Sequence, residues 1–289
     1  MKQTDVLIDI SGDSISNDYG TRSIFFQLLP IFLTPNKLKI YFAPQSIGPF
    51  KGYLQHVLVK KAFKKATGIY LRETESKKYL SKFSGFNFIE AADLAFLLKP
   101  RPFELPLEIK NKTIGIGVSV LIKKFGAENT MLFFKNIIDI CLNNNYQVLL
   151  INHVSTPQGN DVLFAEKMKE QYFFNDTRVL ITHENYRASE WKYLISKCDA
   201  VISARMHPVV HALSLSVPAL NLAYNHKSIG VVHNRFNPYG QAIPFNAEKI
   251  TYKIEEFLNI ISLFNRSKEF EKITHQNINL AKRFINQIA

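Results

Sequence analysis

Ala200–Lys227 reads AVISARMHPVVHALSLSVPALNLAYNHK. Ala200–Ser203 is an apolar strand that stops at a polar turn. Pro208–Leu215 has the length and content of a short helix. Leu215-Ser216-Val217-Pro218 then turns the chain into a second apolar strand, Ala219–Ala223. Neither strand alternates polar with apolar residues, so both are expected to be covered on both faces. Strand, helix and strand in this order make a parallel pair, the repeating unit of a layered α/β sheet.

The alternation extends outward from this stretch. Glu248–Ala289 is mostly helical, with a break near Ser262–Ser267. Upstream, strands are expected at Thr113–Val118, Gln147–Ile151 and Val179–Ile181, with helices at Asn129–Asn144, Asp161–Gln171 and Ala188–Lys197. Lys99–Lys112 (KPRPFELPLEIKNK) carries three prolines and no periodicity, and is the expected linker. Before it, strands are expected at Val6–Ile10, Leu38–Ala43 and Gly68–Leu71. Helices are expected at Thr21–Leu33, Gly52–Ala66 and Glu73–Phe83, and Asp93–Leu98 closes this half. The expectation is two α/β domains, residues 1–108 and 109–289, the second ending in C-terminal helices. A length of 289 residues suits two such cores.

Composition narrows the function classes. Hydrophobic content of 46% and charged content of 21% are ordinary for a globular protein. No apolar run reaches the roughly 18 residues of a membrane span, and the N-terminus lacks a signal-peptide pattern. A cytoplasmic location is therefore expected. The net charge of +12 suits an anionic partner. The lysines lie in short clusters without a nucleic-acid motif, so no nucleic acid is expected as partner. Weak attraction to an anionic membrane, at its inner face, is a second reading of the same charge. Cys141 and Cys198 read as two buried thiols. There is no H-E-x-x-H, Cys/His cluster, phosphate loop, dinucleotide fingerprint or G-x-S-x-G elbow, so no metal site is expected.

In open parallel sheets, ligands bind beyond the carboxyl ends of the strands. The richest such junction follows Ser203. Arg205 offers a planar fork for phosphate or carboxylate. His207 can move a proton near neutral pH. Pro208 suits a first helical turn, whose backbone N–H groups attract anions. Two readings stand at this point: an anion-and-proton site, or an Arg205 that pairs with a buried acid and a His207 that caps the helix. Lys227 ends the next junction as a point charge for phosphate, or as an exposed lysine. His153 ends the strand Gln147–Ile151 and is a candidate cleft residue. In the first half, Gly12 and Asp13 follow the first strand, and Gln45 and Gly48 follow the next. Gly48 before Pro49 suggests a tight turn that brings backbone near a ligand. Arg72 repeats the pattern of an arginine at a strand end.

Taken together, Asp5–Gly20, Ala43–Phe50 (APQSIGPF), Leu71–Ser76 (LRETES), Asp93–Phe96 (DLAF), Ile114–Ser119 (IGIGVS), Ile151–His153 and Ser203–Lys227 resemble the polysaccharide pyruvyl transferase family. The resemblance implies a GT-B-like fold: two Rossmann-like domains facing a cleft, here with a shortened first domain. It implies transfer of a pyruvyl group from phosphoenolpyruvate to a hydroxyl pair of a sugar, as a ketal. The acceptor would be a saccharide or lipid-linked oligosaccharide, in the making of a capsule or other exopolysaccharide. Arg205 and His207 match the family's R-x-H motif, and Arg72 matches an upstream donor-binding arginine. On this view His207 is the general acid/base and Arg205 joins it in catalysis. Arg205, Arg72, Pro208, Lys227 and His153 hold the donor. Gly12, Asp13, Gln45 and Gly48 lie on the acceptor side. Phosphoenolpyruvate is a co-substrate, and no cofactor is expected. Two alternatives remain: a GT-B nucleotide-sugar glycosyltransferase, and a degenerate family member that binds glycan without catalysis.

Overall fold

The computed structural model describes residues 5–288, apart from 106, 110–111, 127–128, 153, 157–158, 183–185, 225, 262 and 265–266. It contains two compact units: residues 1–97 with 276–289, and residues 98–275. The division therefore falls eleven residues before the expected boundary at 108/109, and the end of the last helix joins the first unit rather than the second. The expected linker, Lys99–Lys112, carries no helix or strand among its described residues.

In the first unit, β1 (Val6–Asp9), α1 (Gly20–Leu33), β2 (Lys39–Gln45), α2 (Tyr53–Phe63), β3 (Gly68–Leu71), α3 (Thr74–Leu80) and β4 (Phe88–Glu90) follow one another. The strands pair in parallel in sequence order, β1-β2-β3-β4. Side chains alternate across a strand, and β2 shows the result. Ile40 and Phe42 enter a core layer with Ile24, Leu28 and Ile31 of α1 and Val59 and Phe63 of α2. Tyr41 and Ala43 enter the opposite layer, where the Tyr70 and Phe284 rings meet edge to face at 5.0 Å. Glu73 caps α3, its carboxylate accepting from the Ser76 N–H.

The second unit runs through β5 (Thr113–Gly117), α4 (Thr130–Asn143), β6 (Gln147–Ile151), a small hairpin of β7 (Ser155–Thr156) and β8 (Gly159–Asn160), and α5 (Asp161–Tyr172). It continues with β9 (Val179–Ile181), α6 (Ala188–Ile195), β10 (Ala200–Ser203), α7 (Met206–Leu213), β11 (Ala219–Ala223), α8 (His226–Phe236) and β12 (Gly240–Pro244). Two helices finish the chain, α9 (Ile250–Ile261) and α10 (Lys268–Ile288). The six strands are all parallel, in the order β12-β11-β10-β5-β6-β9. Read from β9, this is the 3-2-1-4-5-6 order of a Rossmann sheet, which reverses direction between β5 and β10.

The apolar strands behave as their composition demands. β5, β6, β10 and β11 are buried along their whole length. Five elements escape the sequence pattern for local reasons. β12 reads GQAIP, with Gly and Pro at its ends, and survives because it is an edge strand. β4 is three residues long. The strands of the β7–β8 hairpin have two residues each. α8 carries Gly230 in its interior, which weakens any helical signal. Cys141 and Cys198 are free and buried, and burial pushes each thiol up to about 12. Among the described residues, no helix is long and apolar enough to cross a membrane.

Candidate functional site

Where the strand order of a Rossmann sheet reverses, neighbouring crossovers leave toward opposite faces and a crevice opens beyond the carboxyl ends. In the second unit this point lies between β5 and β10. Their last residues, Gly117 and Ser203, are partners in register. The Ser203 hydroxyl accepts from the Arg205 N–H at 3.0 Å and donates to the Arg205 carbonyl at 2.8 Å. That closed turn fixes Arg205 over the strand ends. A Cβ at position 117 would lie 2.0 Å from Ser203 Oγ, so only glycine leaves room for it.

Arg205 is 8% exposed. Its Nε and Nη2 each donate to Asp161 at 3.0 Å, a side-on bidentate pair. Asp161 is the first residue of α5 and is fully buried. Its carboxylate also accepts from the backbone N–H of Val120 at 3.3 Å and of Val154 at 3.2 Å. Burial pushes this carboxyl above its ordinary value, against the pull of Arg205 and the two backbone donors. One aspartate thus ties the segments after β5 and β6 to the turn after β10. Side-on pairing leaves the end of the guanidinium, including Nη1, without a hydrogen bond among the described residues.

Of the two local readings for Arg205, the structure contains the pairing with a buried acid. His207 does not cap α7. Arg205 occupies the N-cap position, with no side-chain bond to the helix, and His207 is exposed in the first turn. The helix begins at Met206, two residues before the expected start. Pro208 is therefore its third residue and offers no N–H, so the free donors of this turn belong to its neighbours. His211, one turn further, is buried. Lys227 is the second residue of α8, which follows the strand next to β10. The Lys227 side chain and the whole of His153 lie outside the described residues. Asn152 follows β6 and donates to the Thr182 carbonyl at 3.0 Å. Asn152 Oδ1 and Thr182 Oγ1 are buried without a hydrogen-bond partner among the described residues.

The first unit gathers a second set at the ends of β1, β2 and β3. Gly12 adopts φ +73°, and its carbonyl accepts from the Ser46 N–H at 2.9 Å. Gln45, 1% exposed, donates through Nε2 to Asp9 at 2.8 Å, and its Oε1 is buried with no partner among the described residues. Asp9 also accepts from the Ser11 hydroxyl. Arg72 is 7% exposed; its Nε donates to Ser46 Oγ at 3.0 Å and its Nη1 to Asp93 at 2.8 Å. Gly12, Gln45 and Arg72 are thus brought to neighbouring strand ends. Asp13 instead accepts from the Tyr19 hydroxyl. Gly48, at φ +90°, is buried, and a Cβ there would meet Tyr79 at 2.8 Å. Its glycine is accounted for by close packing on protein.

Sequence reasoning missed Asp161, Asp93, Asp9 and Ser203. Each is an ordinary residue at an element end, and its role depends on a partner 21 to 44 positions away, or, for Ser203, on the turn it closes. Among the described residues, no group of three or more His, Cys, Asp or Glu side chains could hold a metal ion.

Two units built on parallel sheets, one of them with Rossmann order, define the GT-B-like class. Solved structures bear this out. The UDP-GlcNAc 2-epimerase of Methanocaldococcus jannaschii matches with a TM-score of 0.61 over 98% of this chain and 76% of its own, at 10% identity. The spinosyn rhamnosyltransferase SpnG matches at 0.51 over 96% and 69%, also at 10% identity. Such identities speak to fold alone. Within the class, the chain belongs to the polysaccharide pyruvyl transferase family, whose sequence pattern matches residues 2–226. AmsJ, an amylovoran biosynthesis protein of Erwinia amylovora, is 26% identical over 262 residues, covering 80% of this chain. The chain spans 60% of that relative's length.

Proposed function

We propose that this protein transfers a pyruvyl group from phosphoenolpyruvate to a hydroxyl pair of a saccharide, forming a ketal and releasing phosphate. The observation that carries this reading is the Arg205 clamp at the switch point. Asp161 fixes the guanidinium plane from one side, and Nη1 at the end of the fork has no hydrogen bond among the described residues. The exposed His207 stands two residues on, in the first turn of α7.

The chemistry balances as follows. Protonation of the methylene carbon of phosphoenolpyruvate gives C2 cationic character. One sugar hydroxyl adds to C2 and loses its proton. The second hydroxyl then displaces phosphate, closing the ketal; of the two hydroxyl protons, one matches the proton on carbon and the other leaves with phosphate. His207 delivers and receives protons, a role worth about 10²–10⁴-fold. Arg205 stabilises the carboxylate and the departing phosphate. Lys227 and His153 join the donor side. The acceptor is a saccharide, free or lipid-linked.

A thermal-shift comparison tests the donor, because a ligand that binds only the native state raises its stability. Phosphoenolpyruvate is expected to raise the melting temperature, and UDP-GlcNAc is not. The reverse result would replace pyruvyl transfer with nucleotide-sugar chemistry. No shift with either would favour a non-catalytic family member. His207→Ala is expected to abolish phosphate release, followed by ³¹P NMR, while the melting temperature stays put. Wild-type turnover in this variant would remove His207 from the mechanism.

A further inference from the structure

We propose that the face formed by α1 and α2 of the first unit docks on an anionic lipid bilayer. The starting point is α1 itself. Ile24, Leu28 and Ile31 are its buried side. The opposite side of a water-facing helix should be polar, yet it is not. Six residues of α1 are exposed, and four of them are Phe25, Phe26, Pro30 and Leu33. Phe26 is 55% and Leu33 69% exposed. The Arg22 guanidinium lies over the Phe26 ring at 5.7 Å, so the charge beside this apolar strip is positive.

α2 packs beside α1 on the same layer of the core. Lys65, just past α2, donates to the carbonyls of Phe32 and Thr34 at the end of α1, which binds the two helices edge to edge. α2 adds the exposed Tyr53 and Leu54, then the exposed Lys60 and Lys61, with Lys64 at its C-cap. Charge across the region has one sign. The chain holds 24 acidic residues, but none occurs from Tyr19 to Arg72, where nine lysines and arginines stand.

This combination selects the partner. Exposed phenylalanine, leucine and tyrosine favour a hydrocarbon boundary, and lysines around them favour phosphate. A bilayer with anionic headgroups presents both in one plane. A nucleic acid presents only the phosphate. A second copy of the chain would set like charge against like. The inference stands apart from the pyruvyl transfer reading, and its test uses no turnover.

The full-length protein would be floated with phosphatidylcholine vesicles, and with phosphatidylcholine vesicles containing phosphatidylglycerol. It is expected to rise only with the second kind, and less so as salt increases. Each lysine near such a surface contributes about fivefold, so Lys60→Gln, Lys61→Gln and Lys64→Gln together should weaken partitioning by about a hundredfold. Lys253→Gln, Lys268→Gln and Lys272→Gln, the same charge change in the second unit, should leave it within about threefold. Phe26→Ser with Leu33→Ser should also cost at least about tenfold, through lost apolar insertion. Circular dichroism matching the wild type shows that the variants are folded. No flotation by the wild type would overturn the proposal. So would equal losses in the two lysine triples, which would reduce the effect to net charge. A dimer in sedimentation without vesicles, abolished by Phe26→Ser and Leu33→Ser, would overturn it too and give the face to a second copy.

Discussion

Arg72 and Arg205 occupy comparable places in the two units. Each follows a fully buried parallel strand, β3 or β10, and each is almost wholly removed from water. Each ion-pairs with an aspartate from another segment, Asp93 or Asp161. They differ in how the guanidinium is held. Asp161 takes both Nε and Nη2, and two backbone N–H groups complete its carboxylate. Asp93 takes Nη1 alone, while Nε goes to the neutral Ser46 hydroxyl. They also differ in setting. The second unit's sheet reverses order beside Arg205, whereas among the described residues the first unit's sheet runs in sequence order without such a point. One partner therefore fixes the plane of Arg205, and two unlike partners share that task at Arg72. The first arrangement is stiffer and more costly to break; the second can lose a member and keep its geometry.

The largest consequence is for Arg205→Ala. It would leave a fully buried carboxylate whose burial already pushes it toward protonation. Removing one partner of a buried pair costs about 3–5 kcal/mol. Asp161→Asn should cost a similar amount, because it strands the guanidinium. Asp161→Leu with Arg205→Met replaces both charges by apolar groups and should recover part of the loss, the remainder being the acceptor that the Val120 and Val154 N–H groups lose. Urea unfolding midpoints would measure all four proteins. Single variants that each cost under about 1 kcal/mol, and add in the double, would erase the distinction between the two clamps.

A smaller effect is expected in the first unit. Asp93→Asn removes one charge-assisted bond but leaves the Ser46 contact on Nε, for a cost of about 1–3 kcal/mol. Adding Ser46→Ala should then cost more than Ser46→Ala does alone, since the two partners share one guanidinium. An Asp93→Asn loss as large as that of Asp161→Asn would show that the arginines are held equally firmly.

Much of this architecture was legible before any coordinates. The continuous apolar strands Gln147–Ile151, Val179–Ile181, Ala200–Ser203 and Ala219–Ala223 stand at the expected residues, because buried parallel strands leave a composition signature. The arginines at strand ends were legible too, as unforced charges beside apolar runs. Their aspartates were not. Asp161 opens a helix behind Asn160, which caps that helix, so both residues look like parts of a helix start. Its real partner lies 44 residues away. Gly117 shows the same limit in reverse. It reads as a small strand residue, and its necessity appears only when Ser203 is placed beside it. Local sequence reports what one segment buries. It does not report which distant segment supplies a counter-charge, and the site is made of such pairs.

The smallest predicted effect tests why both clamps use arginine. Lys192 on α6 is a third buried cation of the molecule, 1% exposed. Burial pushes its ammonium down to about 8 from 10.5, whereas a guanidinium keeps its proton throughout this range. Between pH 8 and 10.5 the unfolded chain therefore holds a proton at this position that the native state has released. Stability rises with pH wherever the unfolded state binds more protons, so this lysine adds stability as pH climbs through that window. Cys141 and Cys198 act oppositely above about pH 9, where their buried thiols hold protons that the unfolded chain has lost. Comparison of the wild type with Lys192→Met cancels the cysteines. From pH 8 to 9 the wild type should gain about 1 kcal/mol on the variant in urea unfolding. A difference that stays constant across that unit would mean that Lys192 keeps its charge in the core, and that the choice of arginine in the clamps reflects its forked geometry rather than its resistance to deprotonation.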